Sequence, residues 1–346
     1  MTTKINPNKL REQSLGCILG VAIGDALGLP VECKSPDVIR SLFGYVDEYK
    51  TNKHHLYPNV ARRAPGTFSD DTQLTLAVMD SIARIKGYDI NDIKKAHIEA
   101  MDGKWGVPIG WGRSTRNATQ KMKNGQSDTA EKDGAGNGPC MKISPLAIYA
   151  VYKTLGTSHG KFTNAFNYSL LKKCHEISSI THGDIRCAVA TYCQTRMIIR
   201  ALQGEPLDHT KWISQLFIDD AKFAENKLKC NLDPISARLE YFLSEEMFSL
   251  ETSIISKKIC TEQSSFIMNS YPLVAYCVSK YLPYRNFNYA IFQTVNAGAD
   301  ADSNASMVGA IVGAYLGYTE INSELIGNLK NCREIIKQVK LFLMAI

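Results

Sequence analysis

The stretch Ser69-Asp70-Asp71-Thr72-Gln73-Leu74-Thr75-Leu76-Ala77-Val78-Met79-Asp80-Ser81-Ile82-Ala83-Arg84-Ile85-Lys86-Gly87 decides how the chain is to be read. Leu74, Ala77, Val78, Ser81, Ile82 and Ile85 recur at the i, i+3, i+4, i+7 spacing of one buried helix face, and Gly87 supplies a stop. Working outward, the same spacing returns after Asp184 in Ile185, Ala188, Val189, Tyr192, Cys193 and Met197, with Gly204 and Pro206 behind it. Pro145, placed for a first helical turn, opens a helix through Leu146, Tyr149 and Ala150. Residues 10–28 and 305–316 carry small side chains on helical faces, which lets two backbones come close. No strand-like alternation and no Pro-, Gly- or Ser-rich linker divides the chain. The expectation is all-α: a single compact multi-helix domain over residues 1–346.

Composition narrows the classes. With 45% hydrophobic and 21% charged residues, 24 Gly and 12 Pro, the 346 residues suit a globular protein and exclude collagen-like, mucin-like and tail-like chains. Forty Lys and Arg against 34 Asp and Glu leave a net +6. The basic residues stand in mixed runs such as 222–229 and 330–340, which read as solvated helix faces, and no basic stripe interleaved with aromatics appears. Nucleic acid is therefore not an expected partner. Met1 to Ser14 is polar, without the apolar centre of a signal peptide. The longest apolar stretches, 15–29 and 305–316, fall short of the roughly 20 residues that span a bilayer. A cytoplasmic protein with reduced thiols and no membrane partner is expected, and a monomer is the default oligomeric state. The ten cysteines include no Cys-x-x-Cys. The histidines, His54-His55 included, have no carboxylate or cysteine at ligand spacing, so zinc is not expected.

Two segments place hard oxygen ligands immediately before apolar helices: Gly66-Thr67-Phe68-Ser69-Asp70-Asp71-Thr72 and Asn296-Ala297-Gly298-Ala299-Asp300-Ala301-Asp302-Ser303-Asn304. Each supplies two carboxylates and a hydroxyl, so each could hold one side of a Mg²⁺ or Mn²⁺ site. Ser and Asp ahead of an apolar run also look like helix N-caps, and both readings stay open. Adjacent carboxylates beside Ala, Gly, Val and Ile are nevertheless costly unless a cation compensates them. An EF-hand fails, because ligands at Asp300, Asp302 and Asn304 would put Ala305 where Gly is needed and Ile311 where Glu is needed. A helical prenyl-synthase site would want further aspartates one turn on, yet Thr72, Gln73 and Leu74 follow Asp71. Residues 57–69, 103–114 and 124–145 form loops dense in Gly, Asn and Pro, where a helical protein tends to carry function.

In chain order, Gly16 to Gly28 with Glu32, Ser69-Asp70-Asp71-Thr72, Gly110-Trp111-Gly112-Arg113-Ser114-Thr115, Asn137-Gly138-Pro139-Cys140-Met141 with Ser144-Pro145, Thr181-His182, and Asp300-Ala301-Asp302-Ser303 resemble the motifs of the ADP-ribosylglycohydrolase family. The resemblance implies an all-α fold with a binuclear Mg²⁺ site, sometimes Mn²⁺, at the base of a cleft that binds ADP-ribose. It implies a hydrolase that cleaves the glycosidic bond between ADP-ribose and a modified protein side chain or small acceptor, with nucleic acid entering only as a modified acceptor. By position it implies Ser69, Asp70, Asp71, Asp300, Asp302 and Ser303 as metal ligands. Glu32 would serve as general acid or base, with Asp70, Asp71 and Asp302 completing the catalytic set. Gly110, Trp111, Gly112, Ser114, Asn137, Gly138, Met141 and His182 would surround the substrate.

Plainer readings stand beside these. Trp111 could stack on adenine or cover the core, His182 could be a satisfied structural histidine, and Asp25 reads as a buried hydrogen-bonding residue rather than a ligand. Two departures bear on the acid/base arrangement more than on metal binding. Ala299 precedes Asp300 where the family's motif usually has glycine, and Trp105-Gly106-Val107-Pro108-Ile109 has no acidic residue ahead of the glycine loop. Retention of all four aspartates favours an enzyme over a catalytically silent ADP-ribose binder or a crystallin-like structural relative.

Overall fold

The computed structural model describes residues 6–155, 163–260 and 263–346. Met1 to Ile5, part of the polar stretch Met1 to Ser14, lie outside the described residues. Among the described residues the regular structure is helical, with isolated bridges only, pairing Lys34 with Ala299, Glu131 with His182 and Gly136 with Phe266. All three bridges pin loops that meet at one end of the helix stack.

Two antiparallel helices, Pro7–Gly28 and Ala301–Leu316, form the centre. Asn6 starts the first, its side chain accepting from the N–H groups of Asn8 and Lys9. Their small residues touch in register. A Cβ added to Gly20 would lie 2.0 Å from the Gly309 carbonyl oxygen, and one added to Gly309 would lie 2.1 Å from that of Gly20. Interaxial distance depends on the side chains at the crossing, and with glycine on both sides the backbones themselves meet. This contact runs on to Gly28, whose face lies against the backbone of Asp302, so it carries Asp25 and the Asp300 loop to one place.

The remaining expected helices are present: Asp70–Ile85, Ser144–Thr154 with Pro145 in its first turn, and Ile185–Gln203 closed by left-handed Gly204. One stop differs. Lys86, at φ +53°, takes the left-handed cap position after Ile85, and Gly87 donates behind it to Ile82. Ile185–Gln203 and the Pro7 helix are tied to the Ala301 helix through buried amides: Gln194 donates to the Met307 carbonyl at 2.9 Å, and Gln13 bridges the Ala201 and Ala314 carbonyls at 3.0 and 2.9 Å. The first helix is longer than its apolar run suggested. With the short turn after it, Pro7 to Val31 is long and apolar enough to cross a bilayer, yet nearly all of it is buried in the protein core. None of the ten cysteines forms a disulfide.

Candidate active site

Asp25 organises the floor of the site. Its carboxylate accepts from the Ser69 N–H at 2.8 and 2.9 Å, from the Ser69 hydroxyl at 2.8 Å, and from the N–H and hydroxyl of Thr72 at 3.0 and 2.6 Å. The Asp70–Ile85 helix therefore receives its cap from another helix. Ser69, at the N-cap position, makes no capping bond with its own side chain, and neither does Asp300 at the start of the Ala301 helix. Capping thus does not use up the oxygens of the two acidic motifs. Asp25 is the buried hydrogen-bonding residue its surroundings suggested, and it also borders the acidic cluster.

The carboxylates converge in two groups that share Asp302. Oxygens of Asp25, Asp71 and Asp302 lie within 4.8 Å of one another, and so do those of Glu32, Asp300 and Asp302. Ser303 joins them, its hydroxyl donating to Asp71 Oδ2 at 3.2 Å. Burial raises every aspartate of the site: Asp25 to about 6, Asp300 to about 7, and Asp70, Asp71 and Asp302 well above the ordinary carboxylate range, with neighbouring carboxylates adding to the rise in most of them. Two buried oxygens, Asp71 Oδ1 and Asp302 Oδ1, have no hydrogen-bond partner. Orphaned carboxylate oxygens are expensive in a protein interior. A set of carboxylates and hydroxyls with two unpartnered oxygens fits a hard divalent cation. Beside Asp71, Asp300 and Asp302 the groups include Asp25 and Glu32.

A cleft of about 870 Å³ opens above this floor. Glu32, Asp70, Asp300, Asp302 and Ser303 line it, as do Gly110, Trp111, Gly112, Ser114, Asn137, Gly138, Met141 and His182. Ser69 and Asp71 lie behind the lining, fully buried. Gly110, at φ +77°, presses on the first acidic motif, where a Cβ would come 2.8 Å from Asp70 Oδ1. Gln73, which sequence reasoning passed over, sets this loop: it donates to the Val107 carbonyl at 2.9 Å and accepts from Trp111 Nε1 at 2.9 Å. Trp111 is thereby tethered and only 8% exposed, closing the core while one edge borders the cleft.

Asn137 donates to Asp300 Oδ2 at 2.5 Å and to Ser270 Oγ at 2.9 Å, and Ser270 donates to Asn304 Oδ1 at 2.6 Å. Asn137 therefore orients a carboxylate of the floor. His182 bonds through Nδ1 to Thr181 Oγ1 at 2.8 Å and sits under the Gly136 and Gly138 backbone; burial, with Lys142 nearby, pushes it down to about 3, so the ring is neutral. The opposite wall, Gln263 to Phe266, carried no sequence signal.

One pairing runs against the sequence reading. His55 Nε2 lies 2.7 Å from Glu32 Oε2, so a histidine with no acidic neighbour in sequence has one in space.

Comparison with known proteins places the chain. The family model described as ADP-ribosylglycohydrolase matches residues 6–345. The ADP-ribosyl-[dinitrogen reductase] glycohydrolase of Rhodospirillum rubrum is 24% identical over 334 residues, covering 95% of each chain. The ADP-ribosylhydrolase ARH3 of Mus musculus is 22% identical over 335 residues, covering 88% of this chain and 84% of its own. A solved structure of an ADP-ribosylglycohydrolase-related protein complex has the same fold, with a TM-score of 0.70 and 23% identity over 98% of this chain and 99% of that one.

Proposed function

The chain belongs to the ADP-ribosylglycohydrolase family of hydrolases, and from that premise we propose that it removes ADP-ribose from a modified side chain or small acceptor in a Mg²⁺-dependent reaction. The observation that carries the reading is the floor of the cleft, where four aspartates and Glu32 converge, Asp70 lines the cleft with them, and two buried carboxylate oxygens lack partners. Asp71, Asp300 and Asp302, with Asp70, Ser69 and Ser303 beside them, would hold the cations. Bound there, Mg²⁺, or Mn²⁺ in its place, supplies Lewis-acid polarisation and fixes hydroxyl groups of the reacting ribose.

The protein's own groups do the rest. Water adds across the bond between the anomeric carbon and the acceptor nitrogen or oxygen: its oxygen joins the carbon as a hydroxyl, and the proton it loses passes through Glu32 to the departing acceptor, which leaves Glu32 as it began. Glu32 suits this task because it lines the cleft, with its Oε2 set against His55. The Arg113–Lys123 helix begins at Gly112, which offers no capping side chain, so its first N–H groups are available to a diphosphate, with Gly110 and Ser114 beside them. Asn137 holds Asp300 in place, Gly138 and Met141 shape the wall, and neutral His182 contacts ribose or phosphate. Trp111 closes the adenine end. The reading includes a cytoplasmic setting and a single chain as the working unit.

The test is release of free ADP-ribose from ADP-ribosyl-arginine, ADP-ribosyl-serine and O-acetyl-ADP-ribose, with Mg²⁺ or EDTA, beside an Asp70→Ala/Asp302→Ala double variant. Metal-dependent release that the folded variant lacks is expected. ADP-ribose binding without release from any of them would overturn the hydrolase in favour of a silent binder.

A further inference from the structure

We propose that His55 is the positioning residue that holds Glu32 for this reaction, an inference that rests on the function proposed above. Both nitrogens of the ring are engaged. Nε2 meets Glu32 Oε2 at 2.7 Å, and Nδ1 accepts the Tyr57 N–H at 3.1 Å. A nitrogen that accepts a hydrogen bond carries no proton, so with Nδ1 accepting from Tyr57 the ring's proton sits on Nε2 and is donated to Glu32.

The side chain of His55 is 2% exposed and that of Glu32 15%, so water competes poorly for the bond. The ring also sits on a pinned turn. The His55 N–H donates to the Asn52 carbonyl at 2.8 Å, and buried Asn52 donates through its side chain to the carbonyls of Arg63 and Ala64 at 3.3 and 3.4 Å. Glu32 is held from its own side, because Cys33 N–H donates to the Ala299 carbonyl at 2.7 Å and Ala299 N–H to that of Lys34 at 3.0 Å. With Oε2 occupied by His55, Oε1 is left as the oxygen that exchanges protons in the cleft. The carboxylate rotamer, and with it the direction in which Oε1 points, is thus set by a residue outside the reacting groups.

The test compares steady-state release of ADP-ribose by wild type, His55→Ala, His55→Gln, Glu32→Gln and the His55→Ala/Glu32→Gln pair, with NMR of the imidazole nitrogens. His55→Ala is expected to lower kcat about 10- to 100-fold, the range for removing a residue that orients a functional group, with KM little changed. His55→Gln, whose amide can donate to Glu32, recovers part of the loss. On the Glu32→Gln background His55→Ala costs nothing further. A folded His55→Ala enzyme with wild-type kcat, or one that loses the same factor with Glu32 already replaced, overturns the proposal. If His55→Ala does not fold, the Gln variant and the NMR decide: the proton signal on Nε2 must move in Glu32→Gln, and an unmoved signal overturns the bond itself. A wild type that releases nothing from any substrate overturns the proposed function and the catalytic consequence of His55, while the NMR still reports on the bond.

Discussion

Asp25 accepts the N–H and the hydroxyl of Thr72 at 3.0 and 2.6 Å across 47 positions of chain, so the helix that carries the first acidic motif begins only where the first helix delivers a carboxylate. Cap and catalytic floor are one structure. Replacing Asp25 with Ala strands the buried N–H groups of Ser69 and Thr72 and is expected to cost about 3 kcal/mol, combining a lost cap with unsatisfied buried donors. Urea denaturation of the metal-free protein measures this. A loss under about 0.5 kcal/mol, the range of ordinary surface substitutions, would show that the helix start does not depend on Asp25.

Ala299 stands where the family motif usually has glycine, and the structure holds it at φ +60°. Its N–H and carbonyl are both committed to the Glu32 segment, so it cannot relax to a negative φ without breaking that bridge. The left-handed conformation costs a residue with a Cβ roughly 1–2 kcal/mol, of which the extra chain entropy of glycine takes back part. Ala299→Gly is expected to stabilise the protein by about 0.5–1 kcal/mol, read as a higher denaturation midpoint with an unchanged slope. A lower midpoint would mean that the methyl contributes packing worth more than the strain.

What was legible in the sequence follows from range. Helices with a repeating apolar face, such as Leu74 to Ile85 and Ile185 to Met197, announce themselves because the signal repeats every turn. The two acidic motifs were legible as chemistry, since four aspartates beside apolar helices need an explanation. The residues that arrange them were not. His55 pairs with Glu32 across 23 positions and Ser270 reaches Asn137 across 133, and nothing local marks either one. Asp25 gave half its role: burial in an apolar helix was readable, but not that it caps a helix beginning 45 residues later. Nothing local marks Gln73 either, yet it fixes the loop that holds Val107 and Trp111.

The contact between Gly20 and Gly309 predicts an asymmetric response to the smallest substitution. Alanine at Gly20 would drive its methyl to 2.0 Å from a backbone oxygen that cannot step aside without parting the two central helices. Gly20→Ala is expected to lose more than about 3 kcal/mol, at or beyond the upper end of overpacking costs. Gly327, with nothing within 4 Å of an added Cβ, is the control, and alanine there should be neutral or slightly stabilising. Equal melting temperatures for the two variants would contradict the close approach.

Lys142 gives a pH-dependent prediction with a definite sign. It is fully buried, donates only weakly to Thr181 Oγ1 at 3.5 Å, and burial pushes its ammonium down from 10.5 to about 7, against the pull of Asp70. The folded pKa lies below the unfolded one, so the unfolded chain binds more protons between about 7 and 10.5, and stability rises with pH across that window. Below it both states carry the charge and the folded state bears the full burial cost. Lys142→Met removes the charge and keeps the shape. It is expected to be more stable than wild type at pH 7 by on the order of a few kcal/mol, the advantage shrinking towards pH 10. Denaturation at pH 7, 8.5 and 10 checks both sign and trend, and an advantage that grows with pH would refute the assignment.

The two orphaned oxygens, Asp71 Oδ1 and Asp302 Oδ1, predict that Mg²⁺ stabilises the fold independently of any turnover. A ligand that binds only the folded state adds RT ln(1 + [L]/Kd), about 2.7 kcal/mol at one hundred times Kd. The unfolded chain scatters these carboxylates, so nearly all of that term should appear as a rise in Tm of several degrees on adding Mg²⁺ to EDTA-stripped protein. Asp302 belongs to both carboxylate groups, whereas Asp71 belongs to one. Asp302→Asn should therefore abolish the rise and Asp71→Asn should leave part of it, with the weaker response visible as a shifted concentration dependence. Because replacing either aspartate also relieves like-charge crowding, both metal-free variants should melt above metal-free wild type. Wild type that melts identically in EDTA and in saturating Mg²⁺ would show that the converging carboxylates bind no cation of this kind, and an Asp302→Asn variant with the full wild-type rise would show that the ion sits elsewhere.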